Sequence, residues 1–186
     1  VRQALEQLQG SSALFIIGPS GSGKSSLVNA GLVPALRTGA LPSSENWRFA
    51  SLRPGSQPLE SLGELLAQLV EGTSFDLHAT NELTTALQQD KKLLLRVAET
   101  LGLHNKGSRL VLIVDSLEEV WSLVGTAEER RVFLDQLIAA VEEPGTPYLI
   151  IFVLRSDYYA EAASLDRLSD LMQRNQLLVS AMGREE

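Results

Sequence analysis

The chain has 186 residues, of which 44% are hydrophobic and 21% charged, the length and balance of one globular domain able to bury a core. A formal net charge of −7, with no cluster of Lys and Arg, argues against a nucleic-acid groove as the main surface, because phosphate backbones are held by clustered cations. The lack of cysteine removes disulfide frameworks and thiolate metal sites; with no signal peptide before residue 13 and no strongly apolar run longer than 148–154, far short of the ~20 residues that span a bilayer, a cytoplasmic protein without a membrane segment is expected.

In chain order, residues 2–9 place Leu5 and Leu8 at helical spacing, and the apolar run 13–17 reads as a strand. The glycine-rich stretch 18–25 follows without a gap and opens a helix to about residue 37, with Leu27, Val28, Leu32 and Leu36 apolar and with Gly31 and Pro34 expected to weaken or kink its second half. A loop over 39–46 leads to a strand at 47–52, closed by Arg53-Pro54-Gly55, and then to an amphipathic helix at 59–71. Asn81 is a candidate N-cap for one long helix reaching about residue 101, broken by Gly102 and Gly107. Residues 110–114 form an unbroken apolar run, as in a strand covered on both faces. A helix is expected at 127–143, with Val132, Leu134, Leu137, Ile138 and Val141 inward, stopped by Pro144-Gly145-Thr146-Pro147. A buried strand at 148–154, a helix at 158–172 and a last strand at 176–181 complete the pattern. Such alternation implies an α/β sandwich around a mostly parallel sheet, with ligands at the carboxyl ends of the strands. The whole of 1–186 reads as a single domain, and its start at Val1 without an initiator Met, with a new charged helix beginning near Glu186, suggests a piece of a longer protein.

The loop itself reads Gly18, Pro19, Ser20, Gly21, Ser22, Gly23, Lys24, Ser25, a complete Walker A pattern continued by Ser26. Successive backbone N–H groups point into one concavity only where the loop visits conformations that a Cβ forbids, which explains Gly21 and Gly23, while Gly18 ends the strand. Lys24 is expected to reach the β and γ phosphates of a nucleotide, and the Ser25 hydroxyl to ligate Mg²⁺.

The run ending at Asp115 has the form of a Walker B strand, whose terminal acid holds Mg²⁺ through its water shell. Lying on a strand beside the first one, Asp115 would face the loop. Hydrolysis also needs a carboxylate to orient and deprotonate water. Ser116 follows Asp115 directly, so the candidates are Glu118 and Glu119, three and four residues on. Because Ser116-Leu117-Glu118-Glu119 is itself a capping box, Glu118 is favoured as the base and Glu119 as the cap, with both kept as catalytic candidates. Arg155 follows the strand 148–154 on the nucleotide edge, placed to sense the γ-phosphate or, alternatively, to pair with Asp157. Arg130 and Arg131 fit a solvated helix face better than a role as arginine fingers, and His78 and His104 stand alone.

The stretch from Gly18 to Leu36, Arg53-Pro54-Gly55, the segment VDSLEEVW from Val114 to Trp121, and Leu154-Arg155-Ser156-Asp157-Tyr158-Tyr159 together resemble the novel STAND NTPases, bacterial signal-transduction ATPases with numerous domains. The resemblance covers nearly the whole chain. It implies a three-layer P-loop NTPase fold of the additional-strand type, a five-stranded sheet ordered 2-3-1-4-5, ATP and ADP as ligands with Mg²⁺, and a switch whose nucleotide state controls assembly, including homo-oligomerisation. By position it makes Lys24 and Ser25 the phosphate and Mg²⁺ residues, Asp115 the Walker B acid, Glu118 or Glu119 the catalytic acid, and Arg155 the sensor arginine. The family usually carries Gln where this chain has Ser116, its upstream Phe-x-Gly-Arg-Glu segment is absent, and Met182-Gly183-Arg184-Glu185-Glu186 resembles the threshold of a winged-helix domain. A GTPase would need Asp-x-x-Gly from Asp115, and a transporter ATPase a Leu-Ser-Gly-Gly-Gln-like signature; neither occurs. A P-loop nucleotide kinase shares the loop but needs an Arg-rich lid that residues 37–110 do not offer. The alternative from another class is a nucleotide-binding structural switch with negligible hydrolysis.

Overall fold

The structure, a computed structural model, describes residues 1–72, 77–103 and 107–180. Helix α1 (Arg2–Leu8) leads into β1 (Ala13–Gly18), and the loop after it into α2 (Lys24–Ser26), a π-helical stretch (Leu27–Leu32) and α3 (Val33–Arg37). Strand β2 (Arg48–Leu52) precedes α4 (Pro58–Glu71), α5 (Leu77–Gln89) and α6 (Leu93–Thr100). Then come β3 (Leu110–Val114), α7 (Glu119–Ser122), α8 (Ala127–Glu142), β4 (Tyr148–Arg155), α9 (Tyr159–Ala163), α10 (Asp166–Asn175) and β5 (Gln176–Leu178).

All four strand pairings are parallel, and the sheet is ordered β2-β3-β4-β1-β5. The expected fold class is therefore observed, but the expected order 2-3-1-4-5 is corrected: β4, not β1, adjoins β3, and β1 lies between β4 and β5. The expected order came with the resemblance, and the apolar runs themselves leave it open. Strands β1, β3 and β4 are all continuous apolar runs, and burial on both faces says that a strand is interior without saying beside which other. The order is set by side-chain packing across strands, as where the Phe15 and Phe152 rings stack with centroids 4.5 Å apart on adjacent β1 and β4.

Alternate residues of the interior strands feed two cores, as the period of two requires. Leu14, Ile16, Val111, Ile113, Ile151 and Val153 meet Ala4 and Leu8 of α1 with Val28, Leu32 and Leu36 of the helical run after the loop. On the opposite face, Phe15, Leu112, Ile150 and Phe152 meet Leu62 and Leu66 of α4, Leu94 and Val97 of α6, Phe133 and Leu137 of α8, and Leu168 and Met172 of α10. This sandwich brings the carboxyl ends of β1, β3 and β4 to one edge.

The expected helix over 81–101 is two helices, and Asn81 lies inside the first rather than capping it. The Asp90 carboxylate accepts the Lys92 backbone N–H at 2.9 Å, and this local bond competes with helical continuation. Residues 158–172 also divide, at Ser164, whose hydroxyl donates to the Glu161 carbonyl at 2.6 Å, and at Leu165, which is extended. The final strand stops at Leu178, short of the expected 181, and residue 181 lies outside the described residues. In α8, Phe133, Gln136 and Ala140 are buried beside four of the five expected inward residues, and Val132 only partly so. Among the described residues no helix is long and apolar enough to cross a membrane.

Candidate functional site

The loop after β1 is shaped by its glycines. Gly21 and Gly23 have φ of 75° and 84°, the left-handed region, and Gly23 turns the chain directly into α2. Gly18 answers a different demand: a Cβ there would lie 2.3 Å from the Val179 carbonyl oxygen, so only glycine lets the segment beyond β5 pass this close. Pro19 and Ser20 are exposed on the rim, Ser26 is exposed one turn on, and Ser22 is buried.

Lys24 is buried, and its ammonium donates to the Gly18 carbonyl at 2.9 Å and the Pro19 carbonyl at 2.7 Å. Burial pushes its pKa down; Arg155 adds to that, while Glu118, Asp115 and Asp157 oppose it. These influences place two cations and three carboxylates around one loop.

The Ser25 hydroxyl donates to Asp115 Oδ1 at 2.9 Å. Asp115 is not on the strand beside β1, as expected, but one strand further, and its carboxylate nonetheless meets the loop across the end of β4. Two hard oxygens held side by side suit Mg²⁺, which keeps most of its waters and takes few protein ligands. Among the described residues no group of three or more His, Cys, Asp or Glu side chains converges as a metal site, so Ser25 and Asp115 are the fitting pair.

The two glutamates point apart. Glu118 Oε2 accepts the backbone N–H of Arg155 at 3.2 Å, at the end of β4 and within electrostatic reach of Lys24. Glu119 turns away: Oε1 accepts from Arg53 at 2.6 Å and Oε2 from the Gly55 backbone N–H at 2.9 Å. The expected capping box is therefore not formed, and α7 has no side-chain cap. Ser116, at φ 61°, is left-handed, which removes it from the N-cap conformation.

Arg155 pairs with Asp157 at 2.5 Å, and this hydrogen bond holds its guanidinium still more firmly charged. Its Nε is buried without a hydrogen-bond partner, and its cation lies 5.9 Å from the Tyr158 ring centroid. Arg131 is exposed and paired with Glu128 and Asp135 on α8, in keeping with a solvated helix face, while the half-buried Arg130 donates to the Val120 carbonyl at 3.5 Å. His78 lies near Glu82 on α5, and His104 lies outside the described residues, as do Met182, Gly183, Arg184, Glu185 and Glu186. Arg53, which the sequence offered as part of a strand-ending tripeptide and of the family resemblance but with no role, is brought against Ser116 and Glu119. Its signal is a cation at a strand's carboxyl end in a site rich in carboxylates.

A family model described as Novel STAND NTPase 1 matches residues 1–186. No curated protein matches the chain. Among solved structures, the chain resembles the ORC2 protein of Aeropyrum pernix in its ADP form, with 17% identity and a TM-score of 0.56 over 97% of this chain and 46% of that one. The same protein in ADPNP–ADP complexes matches at 16% identity and a TM-score of 0.55, over 96% of this chain and 45% of that one. A Walker-type ATPase of Pyrococcus abyssi matches at 15% identity and a TM-score of 0.52, over 99% of this chain and 53% of that one. The chain thus spans about half the length of these structures, and at such identities the likeness is one of fold.

Proposed function

The chain belongs to the novel STAND NTPase 1 family over its whole length, and from that premise we propose that it is a Mg²⁺-dependent ATP-binding and ATP-hydrolysing switch domain. The observation that carries this reading is the 2.9 Å bond between Ser25 and Asp115. It joins the phosphate loop to the strand-end acid, and these are the groups that must act on one metal–nucleotide complex.

The triphosphate lies in the loop formed by Gly18, Pro19, Ser20, Gly21, Ser22, Gly23, Lys24, Ser25 and Ser26, with backbone N–H groups supplying the cradle. Lys24 exchanges the Gly18 and Pro19 carbonyls for β- and γ-phosphate oxygens. Ser25 and Asp115 hold Mg²⁺, which supplies charge neutralisation at the transferring phosphoryl group. Glu118 orients a water molecule whose oxygen forms a bond to the γ-phosphorus as the bond to the β–γ bridging oxygen breaks. The proton lost by the water passes to Glu118, and ADP carries away the bridging oxygen. Arg155 leaves Asp157 for the γ-phosphate and stabilises the developing charge. Family membership supports a further step, in which the product state changes packing against a winged-helix and other domains of the same polypeptide, and against further copies, in the cytoplasm.

Calorimetric titration of the intact protein with ATP, ADP and GTP in Mg²⁺, with Lys24→Ala as control, tests the reading. Adenine-nucleotide binding that Lys24→Ala abolishes is the expected result; equal binding by both proteins would place the nucleotide elsewhere. One observation favours a second reading, a nucleotide switch without turnover: Glu118 is engaged by the Arg155 backbone and Arg155 by Asp157, so neither group is free of a protein partner. That reading stands if the intact protein binds MgATP but shows no hydrolysis above the uncatalysed rate, whereas turnover that neither Glu118→Gln nor Glu119→Gln, nor the pair, changes would mean that the catalytic assignment is wrong.

A further inference from the structure

The backbone after Asp115 is held at two points that leave a strained residue between them. The Asp115 N–H donates to the Leu52 carbonyl at the end of β2, and the Leu117 N–H donates to the Val153 carbonyl on β4, each at 2.9 Å. Ser116 bridges these anchors at φ 61°, a conformation that side chains rarely adopt. The turn sends the next two carboxylates in opposite directions, Glu118 to the end of β4 and Glu119 to the segment after β2. A four-residue helix without a side-chain cap cannot hold such a turn by itself.

Glu119 supplies the missing constraint. Its side chain is only 15% exposed, and both its oxygens are engaged, one by Arg53 and one by the Gly55 N–H. The same Arg53 guanidinium nitrogen lies 3.3 Å from the Ser116 hydroxyl, so one cation touches both the strained residue and the glutamate that follows the base. The Ser61 hydroxyl, on α4, donates to the Pro54 carbonyl at 3.1 Å and steadies the segment from which Arg53 and Gly55 reach.

We propose that Glu119 and Arg53 form a positioning pair, which holds the turn at Ser116 so that Glu118 faces the nucleotide. This rests on the reading of Glu118 as the water-orienting base. It separates the two adjacent glutamates by role: Glu118 handles the proton, and Glu119 never touches substrate.

The test uses the intact protein and the variants Glu118→Gln, Glu119→Gln, Glu119→Ala and Arg53→Ala. The readouts are MgATP affinity, single-turnover hydrolysis and hydrogen exchange at the Arg155 amide, whose acceptor is Glu118. The isosteric amide keeps one acceptor oxygen but turns a donor toward Arg53 or the Gly55 N–H, so Glu119→Gln weakens the positioning, whereas Glu118→Gln removes the base outright. Glu119→Gln should lose less turnover than Glu118→Gln, while Glu119→Ala and Arg53→Ala should lose about 10-fold or more at nearly unchanged affinity. Both alanine variants should speed exchange at Arg155, and Glu119→Ala should add nothing in a Glu118→Gln background. Should Glu119→Ala fail to fold, Arg53→Ala carries the test, because the Arg53 side chain is 66% exposed. The proposal is overturned if Arg53→Ala keeps wild-type turnover, or if the alanine variants leave Arg155 exchange unchanged. If Glu118→Gln itself hydrolyses ATP normally, the assignment of the base falls, and Arg155 exchange alone decides the positioning.

Discussion

Arg155 and Asp157 form an exposed pair that adds to the electrostatics of the loop, behind burial and Glu118. Asp157 lies close enough to act on Lys24 and holds the arginine expected at the γ-phosphate. Both side chains are substantially solvent-accessible, at 38% and 54%, so the pair is weakly stabilising and easily exchanged for a phosphate. Asp157→Asn removes a negative charge beside a polyanion site and frees the guanidinium. We expect ATP affinity to rise by about 2- to 5-fold at low salt, with the gain shrinking as ionic strength grows. Titrations at two salt concentrations check this, and unchanged affinity at both would show that Arg155 does not contact the nucleotide. The choice between an arginine free for phosphate and one paired with Asp157 was open in the sequence, since adjacent residue types do not reveal rotamers.

The division of residues 77–100 into α5 and α6 depends on another element. Gln136, 2% exposed on α8, donates through Nε2 to the Leu87 and Asp90 carbonyls, both at 2.6 Å, at the carboxyl end of α5. Helix ends leave carbonyls without intrahelical partners, and here a buried amide supplies the donor. Gln136→Met preserves volume but removes both bonds, and should lower stability by about 2 kcal/mol in urea unfolding with the m-value unchanged. A loss below about 0.5 kcal/mol would mean that the unpartnered Oε1 of the same side chain offsets the two bonds. Tyr148 makes a parallel contact, donating its hydroxyl to the Leu94 carbonyl of α6 at 2.6 Å, and burial raises its pKa so that it remains a donor. Neither bond is visible as periodicity. A glutamine among apolar residues reads as an outward position, and the partner lies 46 to 49 residues away.

At the scale of the whole molecule, the site is a product of the sheet: β1 delivers the loop, β3 delivers Asp115, and β4 delivers Arg155 and the backbone N–H that holds Glu118. Nucleotide binding should therefore stabilise the entire fold. At a ligand concentration of about 100 Kd the gain is ~2.7 kcal/mol, which for a domain of this size raises the melting temperature by roughly 5–10 °C. Differential scanning fluorimetry with MgATP should show that shift in the wild type and lose it in Lys24→Ala; an equal shift in both would mean a site away from the loop. The sequence by itself determined the glycine-rich loop after the first strand, the interior strands and the fold class, and it singled out Asp115, which the structure brings to Ser25. These are carried by contiguous residues whose physics is local: glycines that admit positive φ, a hydroxyl and an ammonium at set spacing, and apolar runs that must be covered on both faces. Tertiary structure alone decided that β4 stands between β1 and β3, that Glu118 turns to the nucleotide edge while Glu119 turns to Arg53, and that Arg155 lies against Asp157. Adjacent helical residues diverge by ~100°, so a strained residue upstream redirects both, and strands of equal apolarity choose neighbours only through the shapes that interlock across the sheet.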